Sequence, residues 1–254
     1  MDLNSGGRRL SCALDLAGPD APLAVILHGI TGSKSERHIA GVAKALREAG
    51  MSTLRVDLYG HGESEGSFSS HTLGRWIGNA LDAVDFAGTW GSRMYLCGHS
   101  QGGLTALLAG SIRQDALCGL ILLSPACQIP DGARRGSLLG MEFDPDRLPE
   151  TLTLPKGPVL KRDYVLSARR YRVEEASFPG PVLIVHGGAD QTVPPAWSER
   201  LVRQFEKGRL VLIPGDTHCY DLHLDRVEDV VKAWAVETVG EGTPIGPSPA
   251  DRRQ

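Results

Sequence analysis

The sequence predicts an α/β protein built on a doubly wound, mostly parallel sheet. Three observations carry this. Short apolar runs recur along the chain, they lack the polar alternation of half-exposed strands, and amphipathic helical stretches separate them. The runs are Leu23–Leu27, Thr53–Val56, Met94–Cys97, Leu120–Leu123, Val182–Val185 and Leu210–Ile213. Brief runs rich in Val, Ile and Leu are what strands buried on both faces of a parallel sheet look like.

Between them, Ile39, Val42, Ala43 and Leu46 fall on one helical face, and Gly50 follows as a C-terminal stop. Leu73, Ile77, Leu81 and Val84 mark a second helix. Trp197, Leu201, Val202 and Phe205 mark a third, entered through Pro194-Pro195, and Val227, Val230, Val231 and Trp234 mark the last. Repeated strand-then-helix order is the pattern of a doubly wound sheet. Two regions break the rhythm. Residues 125–179 carry several prolines, many arginines and no evident buried strand, so they are read as a cap inserted into one domain spanning 1–239. Residues 240–254, rich in Gly, Pro and charge, are expected to be a disordered tail.

Composition narrows the function. With 254 residues, 41% of them apolar, the chain has material for one sizeable core. A formal charge of −3, with no Lys/Arg block, disfavours a nucleic-acid or anionic-membrane binder. Residues 1–16 do not read as a secretory signal, and no apolar run is long enough to span a bilayer. Five widely spaced cysteines without a CxxC point away from disulfides or a zinc site and towards a reduced cytoplasm.

The strongest local signal is Gly98-His99-Ser100-Gln101-Gly102. It follows one apolar run and precedes a helix-compatible stretch, Gly102 to Leu108. A strand, a sharp turn and a helix are what exposes a nucleophilic serine above a sheet. Side chains at Gly98 and Gly102 are expected to collide where strand and helix converge. Leu27-His28-Gly29-Ile30-Thr31-Gly32 ends another strand. There the N–H of Ile30, together with the N–H of Gln101, could face a developing oxyanion.

A serine nucleophile needs a base and a group to orient it. Asp190 and His218 follow Ser100 in that order, each just past a strand, where open α/β sheets carry their functional groups. Among the other histidines, His28, His99 and His186 lie beside glycines at strand ends and read as supporting residues. His61 reads as part of a surface turn, and His38 and His71 as surface or helix-start residues. His223 is the serious rival to His218, but it sits further into the last helix. Asp216 and Asp221 are too close to His218 in sequence to orient it from a separate strand. Asp57 reads as a buried structural carboxylate.

The segments HGITGSKSE, RVDLYGHGESEG, GHSQGG, HGGADQTVP and GDTHCYD resemble the bacterial cinnamoyl (feruloyl) esterases of the α/β-hydrolase superfamily, from about Leu23 to Trp234. The resemblance implies an α/β-hydrolase fold and a serine carboxylesterase that acts on hydroxycinnamate esters through an acyl-enzyme. It implies no metal or organic cofactor, a small aromatic ester as partner, and a homodimer. It also implies that the cap recognises the phenolic ring through an Asp and a Tyr, matched here by Asp131 and Tyr164. Leu138 or Leu139 stands where some members carry an assisting Gln. The same triad serves acylglycerol lipases, serine aminopeptidases and perhydrolases. Outside enzymes, the fold also serves as a ligand receptor. The arginines of residues 125–179 argue for a solvated cap rather than the broad apolar surface of a lipase.

Overall fold

The computed structural model describes residues 1–90, 93–155 and 157–240. An eight-stranded sheet runs in the order β1-β2-β4-β3-β5-β6-β11-β12. Its strands are β1 (Asp2–Ser5), β2 (Arg8–Asp15), β3 (Leu23–Leu27), β4 (Ser52–Val56), β5 (Met94–His99), β6 (Leu117–Leu123), β11 (Val182–Gly187) and β12 (Gly208–Ile213). From β4 to β12 the neighbours pair in parallel, while β2 pairs antiparallel with both β1 and β4. The expected strands are therefore present. The β1–β2 hairpin is an addition, because its half-exposed, polar-rich sequence shows no continuous apolar run.

Alternate residues of each buried strand feed the two faces. In β3, Leu23, Val25 and Leu27 join the core shared with α2 (Leu73–Ala87) and α3 (Gln101–Ile112). Ala24 and Ile26 join the opposite core, with α1 (Arg37–Glu48) and α7 (Leu224–Gly240). Gly50 adopts φ +83° just past α1, the left-handed stop its position suggested. The helix expected from Trp197 to Phe205 ends early: α6 spans Ala196–Leu201, and a 3₁₀ turn takes Val202–Gln204.

Strand order fixes where chemistry can occur. The chain moves from β3 to β4 on one side and to β5 on the other, so β3 and β5 flank the point where winding reverses. Crevices open at the carboxyl ends of strands at such a point. Leu27 leads into His28-Gly29-Ile30 there, and β5 ends on His99, directly before Ser100.

Between β6 and β11 the chain forms α4 (Ile129–Arg135), two short hairpins, and α5 (Arg162–Ala168). The hairpins are β7 (Ser137–Leu138) with β8 (Met141–Glu142), and β9 (Thr151–Thr153) with β10 (Val159–Lys161). Arg135, Arg147, Arg162, Arg170 and Arg172 are exposed, as expected of a solvated cap, while Arg134 and Arg169 are partly buried. Arg134 donates to the carbonyls of Arg169 (3.3 Å) and Tyr171 (2.7 Å), and Arg169 donates to that of Pro145 (3.0 Å). With little regular structure, this segment uses guanidinium groups to satisfy carbonyls that a helix or sheet would pair internally. Gly240, where the tail was expected to begin, is still the last residue of α7, and 241–254 lie outside the described residues. Among the described residues no helix is long and apolar enough to cross a membrane.

Candidate active site

Ser100 sits at φ +55°, ψ −120°, between the last residue of β5 and the first of α3. A non-glycine residue in such a conformation costs about 1–3 kcal/mol and persists only where its surroundings impose it. Those surroundings are visible. The Ser100 N–H donates to Leu123 O (2.8 Å), and its carbonyl accepts from the N–H groups of Leu104 and Ala126 (both 3.0 Å). A methyl group at Gly98 would press into the Gly102 carbonyl and lie 2.8 Å from Gly103 N. One at Gly102 would lie 2.7 Å from Leu27 O and closer still to His28 O. The two glycines therefore let β5, α3 and the end of β3 converge.

Three side chains that the sequence placed far apart form one hydrogen-bonded line. His218 Nε2 lies 2.9 Å from Ser100 Oγ, and His218 Nδ1 lies 2.6 Å from Asp190 Oδ2. The Asp190 carboxylate also accepts from His186 Nε2 (3.1 Å) and from the N–H groups of Thr192 (2.8 Å) and Val193 (2.9 Å). Burial alone would raise its pKa. The hydrogen bonds from His186 and His218 outweigh burial and hold the carboxyl well below the usual carboxylate range. It is thus an anion facing the imidazole. His223 does not join this group: its backbone N–H donates to Asp216 Oδ2, which ties down the loop bearing His218.

The supporting histidines each hold something specific. His186 receives Ser198 Oγ at Nδ1 (2.7 Å) and points Nε2 at Asp190. His99 donates from Nε2 to the His218 carbonyl (2.9 Å), and its Nδ1 faces His38 Nε2 (3.1 Å). Burial, with His38 and His218 nearby, keeps His99 neutral. His38, His61 and His71 are all buried, contrary to their reading as surface residues. For His38 a signal existed, since it lies four residues before Val42 on the apolar face of α1. His61 and His71 sit in irregular turns, where no periodicity reports burial. Asp57 is buried as expected, and the partner that sequence left unnamed is Lys34, whose Nζ lies 2.6 Å from it.

The N–H groups of Ile30 and Gln101 have no acceptor among the described residues. Gly29, whose carbonyl carbon bonds to the Ile30 nitrogen, lies against Ser100: a Cβ there would be 3.2 Å from Ser100 Cβ. The cap residues fall differently. Tyr164 is fully buried, and its hydroxyl donates to Gln101 Oε1 (2.7 Å). Asp131 instead pairs with Arg135 (2.9 Å) and Arg134 (3.7 Å). It lines a cavity of about 220 Å³ between α4 and α6, together with Cys127, Arg134, Trp197 and Arg200. None of Ser100, Asp190 and His218 lines that cavity. Asp131 and Tyr164 thus do not share a partner.

Comparison with known proteins places this geometry. Residues 19–156, over half of the chain, match the family profile described as serine aminopeptidase, S33. The chain belongs to the serine aminopeptidase S33 family. Residues 164–233 of this family member also match a profile described as TAP-like protein. An uncharacterized protein of Mycobacterium tuberculosis is 30% identical over 87% of the chain and 72% of its own length. The sn-1-specific diacylglycerol lipase ABHD11 of Mus musculus is 24% identical over 91% of the chain and 86% of its own length. Among solved structures, Est1E from Butyrivibrio proteoclasticus with ferulic acid bound is 44% identical. It superposes with a TM-score of 0.92, over 94% of this chain and 99% of that one. The S33-family chain is therefore a serine hydrolase of the α/β-hydrolase fold, and the resemblance to bacterial feruloyl esterases read from its motifs agrees with these neighbours.

Proposed function

We propose that this serine hydrolase is a carboxylesterase for hydroxycinnamate esters, with Ser100 as nucleophile, His218 as general base and Asp190 as its orienting anion. The observation that carries the substrate reading is the 44% identity, across almost the full length of both chains, to a protein solved with ferulic acid bound. The hydrogen-bonded line from Ser100 to Asp190 supports the assignment of roles.

His218 Nε2 takes the Ser100 hydroxyl proton as Oγ bonds to the ester carbonyl carbon. Asp190 fixes the proton on His218 Nδ1, leaving Nε2 free to accept, and stabilises the imidazolium that forms. The N–H groups of Ile30 and Gln101 receive the oxyanion, a contribution of about 3 kcal/mol per donor in such sites. The alcohol leaves with the proton from His218. Water, deprotonated by the same imidazole, then releases the hydroxycinnamic acid. No step calls on a cofactor. Five free thiols fit a reducing compartment, and we assign the protein to the cytoplasm.

The test is a panel of purified substrates: methyl ferulate, methyl caffeate, methyl cinnamate, a monoacylglycerol and an aminoacyl anilide. The reading predicts the highest kcat/KM on the ring-hydroxylated cinnamates. A preference for acylglycerols would instead favour the activity carried by the name of the mouse relative. A preference for the anilide would favour peptidase chemistry.

A further inference from the structure

Ile30 is bracketed by two imidazoles. His28 Nε2 lies 3.0 Å from the Leu58 N–H and His28 Nδ1 lies 2.7 Å from Gly29 O. A backbone N–H can only donate, so Nε2 is the acceptor and the ring proton sits on Nδ1, pointing at the Gly29 carbonyl. That carbonyl belongs to the same planar peptide unit as the Ile30 N–H. On the other side, the Thr31 N–H donates to His61 Nε2 (3.3 Å), and His61 Nδ1 faces Tyr59 O (3.2 Å). Thr31 itself is held at φ +64°. The two rings lie 5.3 Å apart, packed with Trp76.

We propose that His28 is a positioning residue for the oxyanion site, its Nδ1–H clamping the Gly29 carbonyl so that the Ile30 N–H is aimed and polarised towards the reacting carbonyl. The inference rests on the reading of Ile30 as an oxyanion donor. A planar peptide turns as one body, so holding its oxygen fixes its hydrogen. Gly32 N–H also donates to Gly29 O (3.1 Å), so this carbonyl has two donors and is strongly polarised. Both rings must stay neutral for the arrangement to hold, because a protonated His28 could not accept from Leu58. Burial, reinforced by His61, depresses His28 to about 4, and burial also depresses His61. Neither ring touches Ser100 or His218 in any hydrogen bond among the described residues, so neither is a catalytic residue.

Two conservative variants separate the two ring nitrogens. His28→Asn keeps a donor near Nδ1 and gives up the Leu58 acceptor. His28→Gln keeps an acceptor near Nε2 and gives up the donor to Gly29. We expect His28→Gln to lose about 10-fold or more in kcat with KM little changed, since removing an oxyanion donor outright costs about 10²–10³-fold. His28→Asn should retain kcat within about 3-fold of wild type on the same scale. A purely structural role would make the two variants lose activity in step with thermal stability, and that result, or full kcat in His28→Gln, would overturn the inference.

A measurement on the wild type covers the case in which either variant fails to fold. In ¹⁵N NMR, His28 should show the Nδ1–H tautomer, and the Ile30 amide proton should shift downfield when phenylboronic acid forms its tetrahedral adduct. The Nε2–H tautomer would refute the role of His28. An unmoved Ile30 amide in a formed adduct would refute the oxyanion assignment itself, which keeps the two failures distinct.

Discussion

Replacing Gly102 by alanine should uncouple catalysis from folding in a measurable way. The added methyl carbon would lie 2.7 Å from Leu27 O, closer to His28 O and 3.0 Å from His28 C. All of these are backbone atoms, so no side chain can rotate aside. Ordinary contact begins near 3.4 Å, so clearing Leu27 O alone needs a displacement of about 0.7 Å, from 3.4 minus 2.7. Either the start of α3 moves, carrying the Gln101 N–H, or the end of β3 moves, carrying the Ile30 N–H. In both cases the gap between the two proposed oxyanion donors opens. Displacements near 1 Å cost about 10²-fold in rate where geometry is catalytic. Overpacking costs about 1–3 kcal/mol of stability, or about 2–4 °C in Tm per kcal/mol for a domain of this size. The assay is kcat on methyl ferulate alongside thermal unfolding. Gly78→Ala is the control, because a Cβ there meets nothing within 4 Å in the middle of α2. It should leave kcat unchanged and Tm equal or higher. Gly102→Ala with near-wild-type kcat would refute the claim that this close approach sets the donor geometry.

Other expectations follow from the same geometry. Ser100→Gly and Ser100→Ala should both abolish turnover, but glycine tolerates φ +55° and alanine does not, so Ser100→Gly should be more stable by about 1 kcal/mol in thermal unfolding; equal Tm values would argue against strain at the turn. Asp190→Asn should lower kcat about 10⁴-fold by allowing the wrong His218 tautomer. Because the Asp190 carboxyl is depressed in the folded state, its stabilisation is complete above the unfolded carboxylate value of about 3.9. It is lost as pH falls through the folded value. Denaturation curves of wild type and Asp190→Asn should therefore differ at neutral pH and converge in acid; a constant difference would contradict this. Tyr164→Phe leaves Gln101 Oε1 buried without its partner and should cost about 1–3 kcal/mol. It should lower activity on ferulate, caffeate and unsubstituted cinnamate esters alike. A loss confined to ring-hydroxylated esters would instead restore the ring-contacting role that the family resemblance implied.

Much of the candidate site was legible because its parts are local. Ser100 lies in a five-residue pattern with a strand before it and a helix after it. Asp190 and His218 each follow an apolar run, and parallel topology brings strand ends together at one edge. The N-terminal hairpin was not legible, since β2 buries Leu10, Ser11 and Cys12 without an extended apolar run. Nor was the burial of His61 and His71, which depends on irregular turns stacked against Trp76. The partner of Tyr164 was not legible either: its hydroxyl donates to Gln101 Oε1, in the residue after Ser100. Pairing between a cap helix and the start of α3 leaves no trace in the periodicity of either.

Ser100 is tested as the acylated residue by mass spectrometry of enzyme quenched with acid during turnover of methyl ferulate. A feruloyl adduct should appear on the peptide containing Ser100, formed with a burst of methanol and absent from Ser100→Ala. An adduct on another residue, or steady turnover by Ser100→Ala, would contradict that assignment.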